Sequence, residues 1–311
     1  MILLLAAGAA VAARPQAWLP AKGEGYFSLN YQSMFSGDHL RGDRLVSNRG
    51  PMRSSVVSAG ILYAITDRLT VGADMPYVAT KFTLAPGLLP SAHDLEAKND
   101  DGRYHGTLQD LRGTVRYNAV RGPLMVTPFF QVVIPTHHYQ TFGHAGTGRY
   151  LREYQVGFSM GRLLNPILPR AYFDLRYGYS FVQSLGNLNL DRNNVDLEIG
   201  YFLKRYLSVR AVGGLQKTLG GIEIPIPETS PFFSIHDRVE RAHFSRMGGG
   251  ASLVVRKNMD VHGLFLATLS GRNTHSFTVL SLGVSWNFRT RAGPEDALQS
   301  KLAAQPGLPA Q

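Results

Sequence analysis

Histidine and serine side chains occur in the sequence where they could form a hydrolytic pair. A histidine that removes the proton of a nearby serine hydroxyl turns that oxygen into a nucleophile. The candidates lie near the predicted outer ends of strands: His137, His138, His144, His243, His275, Ser245 and Ser276. None of them belongs to a recognised nucleophile motif, and 10 histidines in 311 residues bring some close to serine by chance. Hydrolysis of lipid or lipid A by such a rim pair is therefore the alternative hypothesis.

The same histidines could also be considered as metal ligands. Zinc requires three or four side chains that converge on one point. His137 and His138 are adjacent, so on a strand they point to opposite sides and only one could join His144. Cysteine is absent, which excludes thiolate ligands, disulfides and a cysteine nucleophile. We therefore expect no metal and no cofactor, and nothing resembles a phosphate loop, a dinucleotide fingerprint or a nucleic-acid module.

Charged residues recur at alternating positions within several partly apolar stretches. Such residues share one face of a β-strand, opposite the apolar face. The predicted inward set has nearly balanced signs: Asp74, Asp110, Arg112, Arg116, Glu153, Asp174, Arg176, Asp196, Glu198, Arg210, Arg246 and Asp260. These side chains could form salt bridges that close an interior. Alternatively, part of the set could select anionic solutes along a polar path, and its members would be Arg112, Arg116, Arg176 and Arg210.

The strand pattern that would position these residues is clearest at 276–288. Alternate residues from Leu280 to Phe288 are apolar, and those between them, from Ser281 to Asn287, are small or polar. Trp286 and Phe288 close a strand long enough to cross a membrane when tilted. In a transmembrane barrel the apolar face meets lipid and the polar face lines the interior. A large soluble barrel or sandwich would show the same alternation with the apolar face inside.

Similar segments recur along the chain and predict an all-β fold with about twelve antiparallel strands. The predicted strands are 25–35, 54–65, 69–81, 108–118, 125–135, 152–163, 171–181, 193–202, 207–217, 243–255, 260–269 and 276–288. Tight turns alternate with longer gaps such as 36–53, 82–106 and 218–242. Outer-membrane barrels have this asymmetry, with short turns on the periplasmic side and long loops outside. We therefore predict a transmembrane antiparallel β-barrel over residues 23–288.

The two ends of the chain are predicted to lie outside the barrel. Residues 1–12 form a short apolar run with a small-x-small cleavage signal, and we interpret them as a truncated signal peptide. Residues 289–311 contain prolines among small and charged residues and are predicted to form a flexible tail. After the first dozen residues no apolar run approaches 18 residues, so the sequence offers no transmembrane helix.

Composition agrees with an exported membrane protein. The net charge is +10, but lysine and arginine are scattered without a basic run, so we predict no nucleic-acid partner. A hydrophobic content of 44% and a mean hydropathy of −0.09 fit a barrel in which only every second strand residue meets lipid. The expected partners are outer-membrane lipid, the barrel-assembly machinery during insertion, and a small-molecule solute.

Two further features could bear on passage of a solute. Pro76 and Pro128 interrupt predicted strands and could mark a lateral opening in the wall, although such a proline more often marks a strand end or a bulge. The predicted loop after strand nine is unusually apolar, at Ile224, Ile226, Phe232 and Phe233. It could capture hydrophobic compounds at the mouth, or it could pack on other loops as a plug.

Several motifs resemble those of the outer-membrane protein family associated with the meta-pathway of phenol degradation. The segment LYAITDRLTVG at 62–72, followed by MPY at 75–77, is similar to a signature hairpin of that family. LQDLR at 108–112 resembles its Gly-Asp-Leu strand, and VIPT at 133–136, GTG at 146–148, QVG at 155–157 and GR at 161–162 resemble its central strands. The resemblance covers most of the predicted barrel. It implies an outer-membrane channel or transporter for small, hydrophobic or aromatic compounds, and it brings no catalytic residues.

Overall fold

The computed structural model of the chain describes residues 16–42 and 44–290. The predicted signal peptide at 1–12 lies outside these residues, and so does the predicted tail beyond Thr290. Thirteen strands form one antiparallel sheet. The strands are β1 (Glu24–Arg41), β2 (Arg44–Ala64), β3 (Leu69–Phe82), β4 (His105–Leu108), β5 (Leu111–Tyr117), β6 (Leu124–Ile134), β7 (Glu153–Leu163), β8 (Ala171–Val182), β9 (Arg192–Lys204), β10 (Leu207–Thr218), β11 (His243–Arg256), β12 (Met259–Arg272) and β13 (Thr274–Arg289).

The sheet closes on itself, because β1 pairs with β13 on one side and with β2 on the other, and β2 pairs with β3. β4 and β5 both pair with β3, one after the other, so together they occupy one position in the ring. The result is the predicted closed antiparallel barrel of 12 strands. Closure satisfies the backbone hydrogen bonds of every strand without leaving an edge. No helix in the described part of the chain is long and apolar enough to span a membrane.

The two ends of the barrel differ in their connections. At one end, here named the turn end, the connections are the short segments 65–68, 118–123, 164–170, 205–206 and 257–258. At the other, the loop end, long connections span 83–104, 135–152 and 219–242. These contain the helices α1 (Ala92–Glu96) and α2 (His236–Val239) and a 3₁₀ turn at Phe233–Ile235. The predicted sorting of long and short connections is therefore present.

The predicted polar gap at 36–53 is wrong. β1 and β2 continue through it as one long hairpin, in which Leu40 pairs with Leu45 and Asp38 pairs with Ser47. The register shifts between Ser36 and Asp38, which marks a β-bulge. Ladder pairing is supplemented by side-chain contacts at this hairpin, since the Gly42 amide donates to Asn273 Oδ1 at 3.0 Å and the His39 ring packs on His275. The polar residues of the hairpin do not alternate, because a strand that extends beyond a bilayer has no lipid-facing side.

The outer wall is apolar. Leu29 and Leu282 sit on neighbouring strands with 47% and 56% of their surface exposed, and Phe27, Leu280 and Trp286 are similarly open. Side chains of this kind in a soluble sandwich would be packed in its dry centre. Their exposure around the barrel excludes that alternative and fits a surface solvated by acyl chains.

The interior has two unlike sides. An apolar cluster that includes Met34, Val78, Phe244 and Leu266 lines the side formed by β1 to β3 and β11 to β13. The inward residues of the strands between them are largely charged or polar. The sequence pattern predicted a polar interior throughout, and this apolar side is a departure from it. It arises because inward positions near the loop end pack on one another rather than on water.

The lipid-facing assignment of the outer wall predicts a depth-dependent cost of charge. Leu282→Arg lies in the middle of the apolar band, opposite Tyr31, and should lower the free energy of unfolding in lipid vesicles by about 2–4 kcal/mol. Leu45→Arg is a matched control, because Leu45 is 61% exposed but lies near the tip of the β1–β2 hairpin. It should cost about 1 kcal/mol or less. Equal costs in urea titrations would contradict a bilayer around this wall.

Candidate functional site

The polar side of the interior encloses a cavity of about 170 Å³. Eight of the residues predicted to face inward line it: Asp74, Asp110, Arg112, Arg116, Glu153, Arg176, Asp196 and Arg246. Glutamine and asparagine side chains, including Gln131 and Asn194, fill the spaces between them. The volume is enough for several water molecules. The cavity is therefore a charged, hydrated compartment within the barrel.

Most of the cavity's charges are paired with a charge of opposite sign on another strand. Arg112 Nη1 lies 3.2 Å from Asp74 Oδ2, and these residues face each other in the β3–β5 register. Arg246 Nη2 lies 2.8 Å from Asp196 Oδ1. The hydroxyl of Tyr139, in the loop after β6, donates to Asp110 Oδ1 at 2.6 Å. Charges at membrane depth are tolerated when they are paired and hydrogen-bonded in this way.

The other four residues of the predicted inward set also lie inside the barrel, but they do not line this cavity. Arg210 Nε is 3.9 Å from Glu198 Oε2, and Glu198 also accepts a hydrogen bond of 2.6 Å from the Tyr172 hydroxyl. Asp174 and Asp260 are both buried. Asn287 donates to Asp260 Oδ2 at 3.2 Å, while the partner of Asp174 comes from a different part of the chain.

That partner is the N-terminal segment 16–20, which enters the barrel at the turn end. The amide of Ala17 donates to Asp174 Oδ2 at 2.7 Å, and its carbonyl accepts from the Thr127 hydroxyl at 2.7 Å. Trp18 packs edge-on against Tyr172, with ring centroids 6.2 Å apart. Sequence reasoning missed this segment, because its residues show no strand alternation and their partners lie more than a hundred residues away.

Trp18 fits inside the barrel because the residue that faces it on the barrel wall is Gly161, which has no side chain. A Cβ at Gly161 would come within 2.5 Å of the Trp18 ring. The GR motif at 161–162, which the sequence offered as a family resemblance, thus has a physical role here: the glycine admits the indole.

Arg176 is the centre of the polar network. Its guanidinium donates to Gln131 Oε1 at 3.2 Å and to Gln155 Oε1 at 3.0 Å, and it also contacts Gln16 of the N-terminal segment. It lies 3.9 Å from the centroid of the Phe129 ring, which adds a cation–π contact. Arg176 is therefore held by neutral acceptors, and among the residues that the structure describes no carboxylate lies within 4.0 Å of its guanidinium.

Arg116 is the second cation of this kind. Within 16–42 and 44–290, no carboxylate lies within 4.0 Å of its guanidinium. Arg116 lines the central cavity and also a second cavity of about 390 Å³ at the turn end. The second cavity is lined largely by apolar and aromatic side chains, among them Trp18, Tyr172 and Phe202. Arg116 thus stands between a polar compartment and an aromatic one.

Two further arginines of the site were missed by sequence reasoning. Arg192 is the first residue of β9, one position before the predicted strand, and its side chain is 2% exposed and paired with Glu153. Arg149 belongs to the loop after β6, which folds inward over the cavity. Burial, with a contribution from the charge of Arg192, lowers the pKa of Arg149 to about 9, so it remains charged at neutral pH.

The serine and histidine residues of the hydrolase hypothesis have other partners. The Ser245 hydroxyl lies 2.6 Å from that of Ser270, and His243 Nδ1 accepts from the Thr218 amide at 3.2 Å. His137 Nε2 contacts the Thr107 hydroxyl at 2.8 Å, and His138 stacks on Tyr150. The His275 ring packs at a tilt against the His39 ring, with centroids 4.6 Å apart, and Ser276 is half-buried in the same strand. The geometry of these residues offers no support for a rim nucleophile.

The apolar loop residues Ile224, Ile226, Phe232 and Phe233 are all half-buried at the loop end. Phe233 packs against Phe142 of another loop, with ring centroids 6.0 Å apart. Phe232 lies against the backbone of Gly186 in a third loop. These contacts favour a plug of interlocked loops over an open capture surface.

The two prolines lie at irregular points of the wall. Pairing of β3 with β5 ends at Asp74, and pairing with β4 begins at Tyr77. The Pro76 carbonyl bridges this interruption by accepting a hydrogen bond of 2.8 Å from the Gln109 amide. Pro128 pairs with Phe158 of β7 and lies where the β5–β6 ladder ends. Both positions are therefore closed by backbone contacts.

The comparisons with known proteins support the fold. No family model matches the sequence, and no curated protein matches it either. Among solved structures, the COG4313 outer membrane channel from Pseudomonas putida F1 has a TM-score of 0.69 at 14% identity, over 89% of this chain and 100% of that one. The CymD monoaromatic hydrocarbon channel has a TM-score of 0.46 at 12% identity, over 88% and 90%. The translocator domain of the autotransporter NalP from Neisseria meningitidis has 0.45 at 12%, over 86% and 90%.

By its likeness to the Pseudomonas putida F1 structure, the chain has the fold of a bacterial outer-membrane β-barrel. This confirms the predicted fold class. The predicted location in the outer membrane agrees with this fold and with the apolar outer wall.

The buried Arg192–Glu153 pair predicts a large effect on stability. Arg192→Met leaves the Glu153 carboxylate without its partner in the interior, and we expect it to lower the free energy of unfolding by about 3–5 kcal/mol. Arg272→Met is the matched control, since Arg272 pairs with Glu223 at the loop end and both side chains are more than 40% exposed. That pair should contribute about 1 kcal/mol or less. Equal losses in urea titrations would contradict the structural role of Arg192.

Proposed function

We propose that this protein is an outer-membrane channel for small solutes, and that aromatic acids are the class that its interior fits best. The observation that carries the proposal is the closed barrel whose lumen combines two side-chain environments. In the described part of the chain, Arg116 and Arg176 provide positive charge without a contacting carboxylate, and the turn-end cavity beside Arg116 is lined largely by apolar and aromatic side chains. A carboxylate would be attracted by the first and an aromatic ring would pack in the second.

The similar structure from Pseudomonas putida F1 supports a transport function. The Pseudomonas putida F1 protein is an outer membrane channel, and extension of that activity to this chain is part of the proposal. Transport is favoured over hydrolysis because the candidate serine and histidine residues contact other groups. A purified chain that is silent in planar bilayers but cleaves phospholipid or lipid A would reverse this order.

The N-terminal segment and the interlocked loops narrow the two ends of the lumen. In this arrangement the solute enters past the loop end, meets the arginines, and leaves past Trp18 at the turn end. The segment 16–20 is held mainly by hydrogen bonds to Asp174, Thr127 and Arg176, and bonds of this kind can exchange with water without a change in the barrel wall.

Trp18 provides a test of the lumen as the conducting path. Trp18→Ala removes the indole that packs on Tyr172 and Gly161, so single-channel conductance of the full chain in planar bilayers should rise. The sequence contains 2 tryptophans, and Trp286, on the outer wall, supplies the matched control. Trp286→Ala should leave conductance unchanged. No rise with Trp18→Ala, or an equal rise in both variants, would count against conduction past the N-terminal segment.

Arg116 provides a test of selectivity. Arg116→Gln removes an uncompensated positive charge from the lumen, so the reversal potential in a KCl gradient should shift toward lower anion preference, and benzoate should block or permeate less effectively. Arg121→Gln makes the same change of charge in an exposed turn and should have little effect. If both variants shift the reversal potential equally, selectivity arises from overall charge and not from Arg116.

A further inference from the structure

Three loops meet at the loop end of the barrel and bring together histidine and aspartate residues that have no role in the proposed channel. The loop 83–104 contributes His93, Asp94 and Asp100, the loop 135–152 contributes His144, and the loop 219–242 contributes His236 and Asp237. In the sequence these residues are far apart. The folded loops place them in one half-buried cluster.

Four of these residues are arranged as a coordination set. One potential ligand atom from each of His93, Asp94, Asp100 and His144 lies within 4.8 Å of all the others. His144 Nε2 is 3.6 Å from Asp94 Oδ1. The ligand atoms of a tetrahedral zinc site are roughly 3.3 Å apart, given metal–ligand distances near 2.0–2.1 Å. Small side-chain rotations would close the remaining difference.

The carboxylate of Asp94 is held so that one oxygen points into this set. Its Oδ2 accepts two hydrogen bonds of 2.7 Å, from the amide and the hydroxyl of Ser91, and lies 3.1 Å from Arg49 Nε. Its Oδ1, in a side chain that is 6% exposed, has no hydrogen-bond partner within the described ranges 16–42 and 44–290. Leaving such an oxygen buried and unsatisfied is costly, and a cation at the centre of the set would satisfy it.

The other acidic residue is also fixed in place. Asp100 accepts hydrogen bonds from the backbone amides of His144 at 2.9 Å and Ala145 at 2.7 Å. These bonds tie the loop 83–104 to the loop 135–152 and still leave lone pairs on both oxygens. The carboxylate is therefore oriented before any ligand arrives, which lowers the entropic cost of binding.

A second layer of contacts surrounds His93. Asp237 Oδ2 lies 3.5 Å from His93 Nε2 and accepts a hydrogen bond of 2.8 Å from the Gly143 amide. His236 Nε2 lies 3.2 Å from Asp237 Oδ1. A carboxylate beside a ligating histidine is the usual outer contact in metal sites, where it orients the ring and raises its basicity.

We propose that His93, Asp94, Asp100 and His144 bind a divalent transition-metal ion, Zn²⁺ in the first place, and that the ion clamps the loops over the mouth. Two imidazoles and two carboxylates suit zinc, whereas calcium and magnesium prefer oxygen ligands alone. The ion joins the loops 83–104 and 135–152 directly, and Asp237 connects it to the loop 219–242. The sequence expectation of no metal site considered His144 with His137 and His138, and these two lie elsewhere.

The decisive experiment is a binding titration on the full chain, purified without a polyhistidine tag, refolded in detergent and stripped with EDTA. Isothermal titration with ZnCl₂ should give one ion per chain, while CaCl₂ and MgCl₂ should give no comparable heat. Co²⁺ should produce the visible absorption of a tetrahedral site. Absence of zinc binding, or equal binding of calcium, would overturn the assignment.

Matched variants locate the site. His144→Ala and Asp94→Asn should each weaken zinc binding by about tenfold or more. His138→Ala is the control, since His138 is an exposed histidine of the same loop. Zinc affinity unchanged in His144→Ala, or lost equally in His138→Ala, would place the ion elsewhere and refute the proposal.

Limited proteolysis tests separately whether the ion clamps the loops. With zinc, limited proteolysis of the loops 83–104 and 135–152 should slow in the wild-type chain, and this protection should be absent in Asp94→Asn. Each variant must first show the barrel's far-ultraviolet circular dichroism and heat-modifiable migration. Zinc binding without any change in proteolysis would retain the site and refute the clamp.

Discussion

The fold depends on one constraint: at membrane depth, each strand must find both of its hydrogen-bonding neighbours within the same chain. The pairing of β1 with β13 meets it, with a register that runs from Glu24 opposite Arg289 to Leu40 opposite Thr274. Once this seam is closed, successive residues of each strand must face lipid and lumen in turn. The outer wall is then restricted to apolar side chains such as Leu282. Every group that could bind or conduct is confined to the inside and the two ends.

Because charged side chains are confined to the interior of the barrel, most of them are paired. Buried charges are retained when neighbours compensate them. The inward carboxylates Asp74, Glu153, Asp196 and Glu198 accordingly have arginines within 4.0 Å on nearby strands. Arg116 and Arg176 depart from that rule. Glutamines and an aromatic ring surround Arg176, and Arg116 borders two cavities. A lumen filled for stability alone would gain from carboxylates at both places, and the lack of a contacting carboxylate among the described residues is the basis of the proposed anion path.

The ends of the barrel are closed by segments that the sheet does not specify. At the turn end, Ala17 and Trp18 occupy the lumen through contacts to Asp174, Thr127 and Tyr172. At the loop end, Phe142, Phe233 and the histidines around His93 hold three loops together. Both closures consist of side-chain contacts and not of ladder pairing, so they can change while the wall stays intact. The proposed channel and the proposed metal clamp both follow from this separation of a rigid wall from adjustable ends.

The sequence by itself determined the all-β class, the number of strands and the lipid-facing side of residues such as Leu280 and Trp286, because alternation is local and has a period of two. It also placed charges such as Asp74 and Arg112 on the opposite face. It missed the continuation of β1 and β2 through 36–53, since strands outside the bilayer are not obliged to alternate. Only the tertiary structure decided that Trp18 packs in the lumen opposite Gly161, that Arg116 borders both a polar and an aromatic cavity, and that His93, Asp94 and His144 converge. These arrangements join residues distant in the chain, and their distances depend on barrel closure and loop packing, which no local pattern encodes.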